Sequence, residues 1–588
     1  MTTMAPKPFF IVIYLAMLIF SLTKSKPYHP MPTYFGRFHP NGSIVDQRNP
    51  LTRLNFTGNP EGLRVTQSNA VLKVEPPVAS NGGGVYITWS GVSGATDRDV
   101  IGIYCPETNK ATDYLDYVWV KNYPTYKQGH GEFSVELYNL RSNCEFRYYT
   151  FRPFEELVAR SNLLRFEGGP EAPLHGHLAL TTTQLNATST EMRVMWVSGA
   201  NVTPVVHYSL AKGGPLMTTK GTTKTYKASD MCGEPASGSQ FMDPGFIHDV
   251  LLTDLKPSSL YYYQYGTDLG MSKLKNFTTA PLPNPDVSFK FLVYGDQGIS
   301  ADAHNTARYS LEEMLYRNAT MVIHLGDIAY AEGYAYQWEK YFALIEPYAS
   351  LVPYMVGIGN HEQDHVSGGE KDPSGAPGEG FHPWFAPSLF HTDSGGECGV
   401  PMYHRFHMPD NGNHVWWYSF NYGSLHYIMM STEHNFTRGS RQYKWIENDL
   451  RNVDRSVTPW VLIGGHRAMY TSQKYYGDYM LSLGMRHHMD DLLNKYQVDL
   501  GLWAHFHSYE RTCAVYNGRC ENNGTVHITV GTAGKQFDTN GFMPMDWSLK
   551  QMIEFGYGRI TVYSKSALLW EFITNKDKKV ADKVLLTK

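Results

Sequence analysis

Between residues 68 and 167, apolar and polar positions alternate in short runs, at 85–89, 100–105, 133–138 and 146–151, each closed off by turn residues. A period of two sends neighbouring side chains to opposite faces of a strand, so several such runs predict a β-sandwich. Residues 170 to 280 repeat the pattern, with runs at 192–197, 205–208, 247–252 and 260–265. The two stretches also echo each other. Tyr86-Ile-Thr-Trp-Ser-Gly91 parallels Val194-Met-Trp-Val-Ser-Gly199, and Leu140-Arg-Ser-Asn-Cys-Glu-Phe-Arg-Tyr148 parallels Leu255-Lys-Pro-Ser-Ser-Leu-Tyr-Tyr-Tyr263.

The last of these segments has the form of the tyrosine corner of fibronectin-type sandwiches. A multidomain chain is therefore expected to open with tandem N-terminal β-sandwiches of fibronectin or immunoglobulin type, over 60–167 and 170–282. Pro281-Leu-Pro-Asn-Pro285 is stiff and cannot pair as a central strand, so it marks a boundary. Beyond it apolar strands alternate with helices. Ala303, Ala307, Leu311, Met314 and Leu315 trace one helical face, and Met485, Met489, Leu492, Leu493 and Tyr496 another. This alternation predicts an α/β domain over 286–524. Strand-like runs at 559–563 and 567–572 then predict a C-terminal β extension over 525–588.

Of the 24 histidines, 17 fall between His304 and His527, which places the chemistry in the α/β domain. A formal net charge of −4 gives no field toward nucleic acid or anionic lipid. No GxxxxGK[ST] motif supports a kinase or a nucleotide-driven motor. Lys7 precedes an apolar run at 9–20, followed by Ser21, Thr23 and Ser25; that run is short for a bilayer and suits a signal-peptide core, so 1–25 reads as an export signal, with an uncleaved anchor as the alternative. No later segment is long and apolar enough to span a membrane. Eight Asn-x-Ser/Thr sequons, at Asn41, Asn55, Asn186, Asn201, Asn276, Asn318, Asn435 and Asn523, agree with export to an extracellular or vacuolar–lysosomal location. The six cysteines form no CxxC pair, which favours disulfides over metal thiolates. Cys513 with Cys520 could close a short loop and Cys105 with Cys144 could staple one domain, leaving Cys232 with Cys398, one of the fifteen pairings that six cysteines allow.

Five apolar runs each end in a polar cluster. Residues 289–294 lead into Gly295-Asp-Gln-Gly298, 321–325 into Gly326-Asp-Ile-Ala-Tyr330, and 354–358 into Gly359-Asn-His-Glu362. Residues 460–463 lead into Gly464-Gly-His466, and 499–503 into Ala504-His-Phe-His507. Strand C-termini in an α/β fold converge on its ligand site. A Gly-Asp turn or a buried histidine is ordinary by itself. Five clusters in order, supplying Asp296, Asp327, Tyr330, Asn360, His466, His505 and His507, are not explained by packing. An Asp carboxylate can bridge two cations about 3.5–4 Å apart. Hard oxygen donors suit a trivalent iron, while imidazole and amide oxygen suit divalent Zn or Mn.

These five motifs resemble those of the purple acid phosphatases, among the calcineurin-like metallophosphoesterases, and the resemblance covers nearly the whole chain beyond residue 60. It is strongest to the long-form branch with an extra N-terminal β domain, through Asp393-Ser-Gly-Gly-Glu-Cys-Gly399, Ser431-Thr-Glu-His434 and residues 499–511. The resemblance implies a metallophosphoesterase domain over 286–524, preceded by the family's fibronectin III-like domain and followed by its C-terminal region. It implies Fe(III) on Asp296, Asp327, Tyr330 and His507, a divalent Zn, Mn or Fe on Asp327, Asn360, His466 and His505, and attack on phosphorus by a metal-bound hydroxide. His361 would bind phosphate or carry a proton, and Arg467 would neutralise phosphate charge. Small phosphate esters or nucleotides are the implied substrates, with no nucleic-acid face, and the β domains serve as scaffold and dimer contacts. Two positions depart from the pattern. Ala504 stands where the family has Gly, and Tyr475 and Tyr476 stand where many members carry a His pair that holds phosphate and protonates the leaving group. The branch lacking that pair includes nucleotide pyrophosphatase/phosphodiesterases and proteins described as inactive. The expected activity is therefore an acid phosphatase or nucleotide pyrophosphatase/phosphodiesterase, and the alternative is a protein that binds metal or phosphate without efficient turnover.

His361-Glu-Gln-Asp-His365 also fits the HExxH pattern of zinc proteases, which requires a helix. Here it follows a strand and a Gly-Asn turn and precedes a glycine-rich stretch at 368–380, so the protease reading is set aside. His487 and His488 fall on the polar side of a predicted helix and are expected to be solvated.

Overall fold

The computed structural model describes residues 68–588 apart from 108–110, 112, 152–154, 182–186, 239, 364–368, 377–379 and 387–392, together with three short strands at Arg37–Phe38, Ile44–Asp46 and Arg64–Val65. The expected export signal, Asn41, Asn55, Asn186 and His365 lie outside the described residues. The first sandwich packs a sheet holding Gly83–Ser90 between Val71–Glu75 and Gly131–Leu137 against one holding Glu145–Phe151 between Val100–Tyr104 and Glu155–Arg160. Along Gly83–Ser90 the period of two is visible: Val85, Ile87 and Trp89 are buried while Tyr86 and Thr88 are exposed. The second sandwich pairs Thr190–Ser198 with Leu174–Ala179 and Phe246–Leu255, and Val205–Ser209 with Met217–Lys220 and Leu260–Thr267. Its tyrosine corner is present, with the Lys256 N–H donating to Tyr261 Oη at 3.1 Å.

The α/β domain is built from two sheets rather than one. In the first, Tyr354–Val356, Ala319–His324 and Phe289–Tyr294 run parallel, and Gly556–Ser564, Ala567–Thr574 and Val580–Thr587 continue it antiparallel. In the second, Leu425–Met429, Trp460–Gly464, Leu500–Trp503 and Thr525–Val530 are parallel, flanked by Tyr418–Tyr422 and Tyr509–Tyr516. The strands of the expected C-terminal β extension complete both sheets, because an unpaired edge beside Phe289–Tyr294 would expose its backbone groups. One apolar core lies between the sheets, holding Phe291, Leu325, Tyr427, Leu462, Leu502 and Ile528. The alternate residues Ile428, Val461, Ile463 and Trp503 face the other way, against the helices Arg441–Asn452 and Tyr476–Lys495.

The helix Ala301–Arg317 begins where Ser300 Oγ accepts from the Ala303 N–H and ends at Asn318, whose φ of 58° is left-handed. Ala303, Ala307 and Met314 are buried as expected, but Leu315 is 53% exposed, so the apolar face ends one residue early. Disulfides join Cys105 to Cys144, Cys513 to Cys520, and Cys232 in the second sandwich to Cys398 before the helix Val400–Arg405. No helix among the described residues is long and apolar enough to cross a membrane.

Candidate metal centre

The motif residues converge where the C-terminal ends of the two sheets meet, one sheet supplying Asp296, Asp327, Tyr330 and Asn360 and the other His466, His505 and His507. Asp296, Asp327, Tyr330 and His505 all hold left-handed backbones, with φ of 60°, 51°, 48° and 67°. Such conformations cost about 1–3 kcal/mol each in non-glycine residues and persist only where neighbours fix them. Glu362 does part of the fixing: its carboxylate accepts the N–H of Asp327 at 2.9 Å, of Ile328 at 2.7 Å and of Gly359 at 3.0 Å. Residues 360–363 form a turn, not a helix, so the HExxH pattern lacks its required setting.

The donor atoms form two adjoining sets. In one, Tyr330 Oη lies 3.0 Å from Asp296 Oδ1 and 2.9 Å from His507 Nε2, and the last two are 3.4 Å apart. In the other, Asn360 Oδ1 lies 2.9 Å from His466 Nε2 and 3.0 Å from His505 Nδ1. His466 Nε2 is also 3.2 Å from Asp327 Oδ1 and 3.2 Å from His505 Nδ1. Atoms bound to one ion at about 2.0–2.2 Å lie roughly 3 Å from each other, so both sets have the dimensions of a coordination shell.

The outward-facing groups decide which way each donor points. His466 Nδ1 meets the Leu325 carbonyl at 3.0 Å and His507 Nδ1 the Gln536 carbonyl at 2.6 Å. A carbonyl only accepts, so both hydrogens sit on Nδ1 and both Nε2 lone pairs face inward. Asn360 Nδ2 donates to Asp393 Oδ2 at 2.9 Å, which turns its oxygen inward. His505 Nε2 lies 2.9 Å from Asp478 Oδ1. Lone pairs facing lone pairs in a buried site need a cation between them, and this donor set fits two metal ions.

His361 lies beside this cluster, Nε2 3.8 Å from Asp327 Oδ2 and Nδ1 3.2 Å from Glu332 Oε1. Burial disfavours its charge, yet Asp327 and Glu332 raise it to about 9. Arg467 is 3% exposed, and its guanidinium is bound by Glu433 at 2.9 Å and by Asp478. Tyr475 is 39% exposed at the rim, and burial together with Asp478, Asp393 and Asp538 pushes its phenol up to about 12. Tyr476 instead packs against the helix-side core. The methyl of Ala504 fills the space a Cβ on Gly295 would occupy, so that departure is matched by the glycine opposite. The five described sequon residues, Asn201, Asn276, Asn318, Asn435 and Asn523, are all exposed. His487 is exposed as expected, while His488 is half-buried against Phe385.

Several site residues were not singled out from the sequence: Glu332, Glu362, Asp393, Glu433, Asp478 and Lys535, whose ammonium sits 3.8 Å from the Tyr330 ring centre. Glu362 lay inside a quoted motif, and Asp393 and Glu433 lay inside segments quoted for resemblance. Asp478 carried no local signal.

Three family models match along the chain: the purple acid phosphatase N-terminal domain at 173–279, the calcineurin-like phosphoesterase at 289–509, and the iron/zinc purple acid phosphatase-like C-terminal region at 524–583. A protein of Arabidopsis thaliana named probable inactive purple acid phosphatase 9 is 32% identical over 575 residues, covering 88% of this chain and 85% of that one. A nucleotide pyrophosphatase/phosphodiesterase of Hordeum vulgare is 30% identical over 336 residues, covering 53% of this chain and 86% of that one. The solved structure of a purple acid phosphatase from yellow lupin (Lupinus luteus) seeds matches with a TM-score of 0.75 at 30% identity, covering 89% of this chain and 96% of that chain. Domain order, donor set and relatives agree, and the chain belongs to the purple acid phosphatase family.

Proposed function

We propose that this chain is a metal-dependent phosphoesterase that hydrolyses phosphate esters or nucleotide phosphoanhydrides at a centre of trivalent iron and a divalent zinc, manganese or iron. The observation that carries the proposal is the inward aim of the lone pairs on Asn360, His466, His505 and His507, each set by what its other polar atom binds. Asp296, Tyr330 and His507 would hold the iron, Asn360, His466 and His505 the divalent ion, and Asp327 both. Bound there, such ions supply Lewis acidity toward phosphoryl oxygens and a lowered pKa for water. The chain's own part is to orient and to move protons. His361, anchored on Glu332, offers Nε2–H toward the space beside Asp327, where it can donate to a phosphoryl or leaving-group oxygen.

At about 12, Tyr475 holds its proton too firmly to replace the usual imidazolium. Bonds whose leaving group needs little protonation should therefore break faster, and ATP should outpace glycerol phosphate. The bound state of Arg467 and the name of the Arabidopsis relative support a second reading, metal binding without efficient turnover. The three disulfides support passage through the secretory pathway to an extracellular or vacuolar–lysosomal destination, where the exposed sequons could carry glycans.

The deciding experiment assays p-nitrophenyl phosphate, ATP and a phosphodiester at acidic pH, with metal analysis, for wild type and Asn360→Ala. We expect two metals per chain, and turnover that falls by roughly 100-fold or more in the folded variant. Two bound metals with no turnover on any substrate selects the second reading. A chain that binds no metal refutes both.

A further inference from the structure

We infer that Asp478 is the positioning residue for the divalent half of the centre, and that Arg467 serves Asp478 and Glu433 rather than phosphate. This rests on the dinuclear reading above. Asp478 lies in the first turn of the helix Tyr476–Lys495, where a carboxylate is favoured by the helix dipole. It is 5% exposed and reaches inward to His505 Nε2 at 2.9 Å, close to where Tyr475 and Tyr476 replace the family's imidazoles. The same nitrogen is contested. Arg467 Nη1 lies 3.1 Å from it, and a guanidinium can only donate. If Arg467 prevailed, the lone pair of His505 would sit on Nε2 and its hydrogen on Nδ1. That would turn an N–H into the space bounded by Asn360 Oδ1 and His466 Nε2, and remove one donor from the divalent set.

Asp478 settles the contest the other way. A carboxylate only accepts, so it holds the hydrogen on Nε2 and leaves the Nδ1 lone pair facing inward. It also engages the Arg467 Nη1 group, while Glu433 Oε1 takes the Nε–H at 2.9 Å. Two buried carboxylates thus share one buried guanidinium, and the cation is committed before any phosphate arrives. Of the iron donors, Asp296 meets this network at the His505 backbone N–H, 2.9 Å from its Oδ2, a bond that a change at Asp478 leaves in place.

The test titrates the iron-loaded full chain with Zn²⁺ in wild type, Asp478→Asn and Asp478→Asn/Arg467→Met. Asp478→Asn should raise the Zn²⁺ Kd by about 10–100-fold, with the visible iron–tyrosine band and the far-UV circular dichroism unchanged. Removing Arg467 in that background should recover affinity by about threefold or more, because nothing then donates to Nε2 and the oxygen of the introduced amide still accepts. A purely structural role predicts the reverse, a double variant weaker than the single. That result would overturn the inference, as would a wild-type Kd in Asp478→Asn or joint loss of Zn²⁺ and the visible band. Should Asp478→Asn not fold, Asp478→Glu keeps the charge and should bind Zn²⁺ within about tenfold of wild type; failure there overturns the inference too. An iron-loaded wild type that takes up no Zn²⁺ refutes the dinuclear reading itself.

Discussion

Tyr330 shows how much a single oxygen decides in this site. Its ring is held from two sides, by the Lys535 ammonium 3.8 Å from the ring centre and by the His361 ring 4.5 Å away, so packing alone would keep a phenyl group in place. Its Oη lies between Asp296 Oδ1 and His507 Nε2, and on the proposed reading it would give a bound trivalent iron a hard anionic donor and a visible charge-transfer band. Tyr330→Phe should therefore fold normally and lose the colour of the iron-loaded protein, with the iron more readily reduced or lost. Absorption spectra of the two proteins check this, and a Phe variant that stays purple would remove Tyr330 from the ligand set.

At the scale of elements, the site depends on how closely strand ends approach. A Cβ on Gly359 would lie 2.2 Å from Asp327 Oδ1 and 2.5 Å from Asp327 N. Neither atom is free to retreat, since the His361 N–H holds Oδ1 at 3.1 Å and Glu362 holds the backbone N–H. Gly359→Ala should displace the shared carboxylate and cut the occupancy of both metals roughly tenfold, with little change in far-UV circular dichroism. Full loading of both metals in that variant would contradict the close approach. The strand ends themselves were legible in the sequence, because an apolar run followed by Gly and a polar cluster is a local pattern. Their distribution over two sheets was not. Gly556–Ser564 pairs with Phe289–Tyr294 from the far end of the chain, and no local periodicity encodes that register. The role of Arg467 was hidden for the same reason: its partners Glu433 and Asp478 lie 34 and 11 residues away, and only the fold brings them to it.

Across the whole molecule, the helix Tyr336–Ala349 joins all three domains through buried charge. Glu339 accepts from Arg141 of the first sandwich at 2.6 Å and from Arg405 at 2.9 Å, with His175 of the second sandwich 3.7 Å away. Further along the same helix, Glu346 accepts from Tyr265 Oη at 2.7 Å and from the His175 N–H at 2.9 Å. Burial works to raise the Glu339 carboxyl, but Arg141, His175 and Arg405 outweigh it and lower it to about 2. In the unfolded chain a Glu titrates near about 4.3. The folded value is the lower one, so the stabilisation is fully present above about 4.5 and drains away as the pH falls toward 2. A gap of this size corresponds to roughly 3 kcal/mol. Glu339→Gln should therefore destabilise the protein by about 3 kcal/mol at pH 7, leaving Arg141 and Arg405 short of a charge partner. That deficit should shrink between about pH 4.5 and about pH 3, because protonation removes the same charge from the wild type. Urea unfolding of both proteins at about pH 7, 4.5 and 3 measures it. A deficit as large at the acid end as at neutral pH would mean that the coupling of the sandwiches to the metal domain rests on apolar packing, such as Tyr138 against Tyr336, and not on this ionised carboxylate.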